Sequence, residues 1–128
     1  MEASVLLKAQ VNTKRIYLLL NEVLDLSSQL AQAMDRDDQV TIRMLISMRR
    51  EPIDKLKQAR SVLLEMKHEL SPEDALRLTE LLNGADAQEK EETELANQVR
   101  ANQRLLEQVL ALDKRLNQKL ARENSIYQ

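Results

Sequence analysis

His68 is the single histidine of the chain, and Glu69 follows it. A histidine beside a glutamate could be half of a zinc-protease helix, where a second histidine completes the metal ligands and the glutamate acts as base. This chain has no second histidine. His68 instead reads as a cation placed near the C-terminal end of a helix, where the backbone dipole favours positive charge. Asp35-x-Asp37 could open a calcium loop, which needs glycine at its sixth position and glutamate at its twelfth. Those positions hold Val40 and Ile46. One glycine, Gly84, is too few for a phosphate-cradling loop. Without cysteine or a catalytic serine motif, nucleophilic catalysis lacks its parts. The carboxylates are numerous, but paired Glu-x-x-His motifs for a di-metal bundle would need two histidines. The expectation is a protein with no enzymatic activity, no metal and no cofactor.

The composition predicts the elements. Gly84, Pro52 and Pro72 are the only residues of their kinds, and Phe, Trp and Cys are absent. Helix-forming Leu, Ala, Glu, Gln, Lys and Arg dominate, the signature of long helices or coiled coils. A core without Phe or Trp must be thin, which suits paired helices that each bury a narrow stripe. The net charge of −2, with Tyr17 and Tyr127 as the only aromatic residues, argues against nucleic-acid binding. Arg49, Arg50, Lys55, Lys57 and Arg60 cluster loosely, but Glu51 and Asp54 interleave with them, so ion pairs along the helix are the simpler account. Residues 71–94 are mainly acidic and residues 95–128 lean basic. The longest apolar run, Ile16 to Leu20, is too short to cross a bilayer, and the opening Met-Glu-Ala-Ser carries no basic stretch. A soluble, cytoplasmic protein with no membrane insertion is expected.

Periodicity then predicts an all-α fold: an elongated antiparallel bundle of three long helices, with one short helix between the second and the last. The first helix should span about Ala3 to Met34, with Ala9, Ile16, Val23 and Leu30 spaced by sevens beside Val5, Asn12, Leu19, Leu26 and Ala33. Asp37 or Asp38 caps the second helix, about Asp38 to Glu69. Its stripe is Ile42, Leu45, Arg49, Pro52, Leu56, Ala59, Leu63, Met66 and Leu70. The register does not slip at Pro52, which predicts one kinked helix rather than two. Ser71 caps the short helix, Pro72 opens it and Asn83-Gly84 closes it. The last helix should run from about Asp86 to Ala121. Gln88 to Glu94 should stand in water, and the stripe should be Leu95, Val99, Leu106, Val109, Leu116 and Leu120, interrupted by Asn102 and Asp113. The bundle is expected to fill residues 1–122, with residues 123–128 as a frayed tail.

Leu105, Leu106, Val109, Leu110, Leu112, Leu116 and Leu120 exceed what one seam requires. Such a surplus serves a partner helix, or it packs inside the bundle or at a homodimer seam.

Two segments resemble the FlgN-type flagellar export chaperones. One runs from Leu30 to Arg60, where a long helix ends at Asp37-Asp38 and Leu45, Arg49, Ile53, Leu56 and Arg60 follow. The other is Asn102-Gln103-Arg104-Leu105-Leu106-Glu107-Gln108-Val109-Leu110. The likeness covers most of the chain, with Pro52 as a departure. It implies a cytoplasmic chaperone that holds hook–filament junction proteins through its C-terminal helix and delivers them to the flagellar export apparatus. The residues so implicated are Leu105, Leu106, Val109, Leu110, Leu112 and Leu116, with Ile126 and Tyr127. The alternatives are a related FliT-type chaperone of the filament cap protein and a homo-oligomeric coiled-coil protein without a client.

Overall fold

The computed structural model describes the backbone of residues 1–126 and the side chains of residues 1–122. Four helices account for almost all of it: α1 (Ala3–Asp35), α2 (Gln39–His68), α3 (Pro72–Leu82) and α4 (Thr93–Ile126). A 3-10 turn, Lys90–Glu92, leads into α4, and no strand occurs among the described residues. The last helix therefore begins later than the expected Asp86 and extends past Ala121.

The turn between α1 and α2 closes in the space of three residues. Asp37 takes a left-handed φ of 54°, a conformation that aspartate tolerates better than most residues. This lets the Asp38 amide donate back to the Ala33 carbonyl at 3.0 Å, satisfying an orphan acceptor of the α1 end. The Asp38 carboxylate accepts from the Thr41 hydroxyl at 2.6 Å and the Thr41 amide at 3.2 Å, so Asp38 is the cap of α2. Those hydrogen bonds, the hydroxyl first, hold its carboxyl below the ordinary range. At the next corner, Ser71 accepts from the Asp74 amide and Pro72 opens α3. Gly84, at φ +99°, ends it.

Three apolar clusters run along the molecule. Leu6 and Ala9 of α1 pack with Leu63 and Met66 of α2, Leu78 and Leu81 of α3, and Leu95, Ala96 and Val99 of α4. In the middle, Leu20 and Val23 meet Leu105 and Val109, with Ile53 and Leu56 against them. Beyond them Leu26, Leu30, Ala33 and Met34 pack with Ile42, Leu45 and Leu116. The start of α1 thus lies beside the end of α2 and the start of α4, so α2 runs against both α1 and α4. The predicted α2 stripe is inside at every position, either buried or half-buried, and Pro52 sits fully buried within one continuous helix.

Polar residues in the seam have specific partners. Asn102 of α4 donates to the Thr13 carbonyl of α1 at 2.7 Å. Thr13 itself is buried, and its hydroxyl donates back to Ala9. Arg49 of α2 reaches Asp113 of α4 at 2.7 Å. These contacts sit between the apolar layers and tie α4 to α1 and to α2 in one register.

Candidate partner-binding surface

The entry to α4 differs from expectation. Gln88 to Glu94 was expected to stand in water, yet Glu92 is only 5% exposed. Arg77 of α3 grips its carboxylate with Nε at 2.9 Å and Nη2 at 2.7 Å. The Gln88 and Glu89 amides donate to the same carboxylate. Arg77 also donates to the Asp86 carbonyl at 2.9 Å. The Arg77 hydrogen bonds hold the Glu92 carboxyl down to about 2, against a smaller opposing effect of burial, with the two amides adding to the lowering. The same contact raises the Arg77 guanidinium. This clasp fixes where α4 starts, and so which of its faces turn inward.

Those faces divide the expected site residues. Leu105, Val109 and Leu116 are buried in the seam, and Leu112 is half-buried against the cluster around Leu116. Leu105, Val109 and Leu116 thus commit their side chains to the bundle's own packing, while Leu112 keeps part of its surface open. Leu106 and Leu110 stand out of it, at 42% and 58% exposure. Leu106 was expected in the seam; Leu105 takes that place instead, because Asn102, Val109 and Leu116 form the innermost line and Leu105 lies closer to the α1 side of it. The side chain of Ile126 and the whole of Tyr127 fall outside the described residues.

No family model, no curated protein and no solved structure matches the chain.

Leu106 and Leu110 are one helical turn apart, so they form a single apolar step on α4. Leu106 lies seven residues before Asp113, which places it on the flank of α4 that faces α2. Because α2 and α4 run in opposite directions, the Arg49–Asp113 contact sets Leu106 across from Leu56 and Leu110 across from Ile53. Both α2 residues are half-buried. Two shallow grooves lie on the other flank of α4, between it and α1. Leu7, Val11, Gln98 and Ala101 line one, and Leu24, Ala31, Ala111 and Leu112 line the other. Leu7, Val11 and Leu18 are each about three-fifths exposed.

Among the described residues no group of three or more His, Cys, Asp or Glu side chains is placed to hold a metal ion. His68 is exposed at the end of α2. No described helix is long and apolar enough to cross a membrane. Sequence reasoning missed the Arg77–Glu92 clasp. The residues that make it are 15 apart and separated by an irregular segment, which no helical period connects.

Proposed function

We propose that the chain is a protein-binding helical chaperone of the kind that the FlgN-type resemblance implies. It covers apolar helices of hook–filament junction proteins in the cytoplasm until the flagellar export apparatus takes them, and it carries out no chemistry of its own. The observation that supports this reading is the pair Leu106 and Leu110. They remain exposed on a helix that already packs through Leu95, Val99, Leu105, Val109 and Leu116. Three long helices in an elongated antiparallel bundle offer the length over which a client helix can lie. A client segment that assembles through apolar helices would aggregate when free, and a substitute neighbour of the same chemistry prevents that. Adjacent on one flank of α4, Leu106 and Leu110 give a client helix an apolar place to begin its contact.

Leu7, Val11 and Leu18 favour a second reading, in which copies of the chain pair along α1. Co-purification with hook–filament junction proteins, or with the filament cap protein, tests the first. Replacing Leu106 and Leu110 together by Asp should abolish recovery of the client and leave the helix content unchanged. Undiminished recovery would remove α4 as the site. A mass in solution that doubles with concentration, with no client recovered, would favour the self-associating protein.

A further inference from the structure

The α2 side of the same surface carries a charge pattern that specifies what lies on it. Around α2, the buried line Leu45, Pro52, Ala59 is followed by Arg49, Leu56, Leu63, then by Ile46, Ile53, Arg60, then by Arg43, Arg50, Lys57, each line spaced by sevens. The third and fourth lines turn toward α4 and then outward, because Arg49 reaches Asp113 and Ile53 packs against the cluster of Leu105 and Val109. Ile53, Leu56, Leu106 and Leu110 therefore make an apolar floor, and Arg43, Arg50, Lys57 and Arg60 stand exposed along its α2 edge. The acidic residues of α2 offset only part of that edge. Glu51 pairs with Lys55 on the opposite flank at 2.9 Å, and Asp54, the one exposed acid beside the edge, sits four residues from Arg50 and three from Lys57 without an ion pair to either, so the edge keeps a net positive charge. Among the described residues Arg43, Arg50, Lys57 and Arg60 form no ion pair. On the α4 edge, Glu107 and Lys114 are both exposed and of opposite sign.

We infer that the trough between α2 and α4 binds an amphipathic helix whose apolar stripe seats on Ile53, Leu56, Leu106 and Leu110 and whose α2-facing flank is acidic. This inference rests on the partner-binding reading and adds the chemistry of the partner. An apolar floor with one basic edge selects orientation as well as composition: the reversed helix would present its acidic flank to α4, where the charges cancel. From Ile46 to Arg60 this flank of α2 is about 20 Å long at 1.5 Å per residue, the length of about 14 residues of helix, and the Arg49–Asp113 pair bridges it to α4 within that span.

The test uses the whole chain and two synthetic helical peptides of about 16 residues. Both carry leucines at helical spacing; one has glutamates along a single flank and the other has lysines there. Binding is read by fluorescence anisotropy at low and at moderate salt. The glutamate peptide should bind, and should weaken several-fold as salt rises, because exposed charges are screened beyond about 10 Å at 0.1 M. The lysine peptide should bind about tenfold more weakly or worse. Arg50→Glu with Lys57→Glu should invert that preference, since exposed pairs each shift affinity by a factor of about 1.4 to 5. Leu106→Asp should abolish both interactions. Equal binding of the two peptides that Leu106→Asp still removes would overturn the acidic partner while leaving the partner-binding surface in place. Binding of neither peptide, or a preference that the double reversal does not alter, overturns the inference outright. Self-association lost in Leu106→Asp would assign the trough to a second copy and overturn it too.

Discussion

Replacing Glu92 by Gln removes a charge from the point where α4 is set, and the size of the effect can be worked from its surroundings. The carboxyl sits at about 2 in the folded chain against an ordinary 4.5. At about 1.4 kcal/mol per pKa unit, that gap corresponds to about 3 kcal/mol of stability near neutral pH. A group whose folded value is depressed contributes fully above its unfolded value and loses that contribution as pH falls through the folded one. The contribution is therefore complete above pH 4.5, down to about 1 kcal/mol by pH 3, and largely gone at pH 2. Glutamine cannot titrate, and one end of its amide would turn an N–H toward donors already in place, Arg77 or the amides of Gln88 and Glu89. Urea unfolding of the native chain and Glu92→Gln, followed by circular dichroism at pH 7 and pH 3, measures the difference. Other carboxylates titrate in both proteins and cancel. The expected difference is about 3 kcal/mol at pH 7 and about 1 kcal/mol at pH 3. A difference that is the same at both values, or that is absent at pH 7, would refute the account of Glu92 as a buried, charged anchor.

Two further perturbations probe the packing. Leu105→Ala should cost about 2–5 kcal/mol and Leu106→Ala less than about 1 kcal/mol, by urea unfolding, because only the first opens a cavity; the reverse order would move the register of α4 by one residue. Gly84→Ala should lower stability by about 1–2 kcal/mol in a thermal melt, since alanine resists a φ of +99° and its Cβ would come within 2.8 Å of the Gln103 amide oxygen. No change would place the α3 end in another conformation.

Local signals made much of the fold legible. Ser71-Pro72 and Asn83-Gly84 mark the ends of α3 because caps and left-handed stops are written in neighbouring residues. The α2 stripe was readable through Pro52 because the steps of three and four continue across it. At α4 the local signals were ambiguous. Leu105 and Leu106 are adjacent and chemically identical, and the residues that decide between them are polar. Asn102 and Asp113 read as interruptions until their partners, the Thr13 carbonyl and Arg49, are seen on other helices. The burial of Glu92 was hidden for the same reason: its partner lies on α3, and composition alone made that stretch look solvated. Of the implicated leucines, the sequence located the helix that carries them but not which of its sides is occupied.

The placement of α4 beside α1 has a consequence for the order in which the protein is made. The helix that completes the seam, α4, leaves the ribosome after α1, α2 and α3, and its contacts join residues as far as 89 apart. The hairpin of α1 and α2 can close as soon as it emerges, but Leu20 and Val23 keep their α4-facing sides uncovered until Leu105 and Val109 arrive. At about 5–20 residues per second that interval lasts several seconds. A chain arrested before α4 therefore displays an apolar stripe to proteases and to other nascent chains, so a premature stop ahead of Thr93 should yield degraded or aggregated product rather than a shortened working protein.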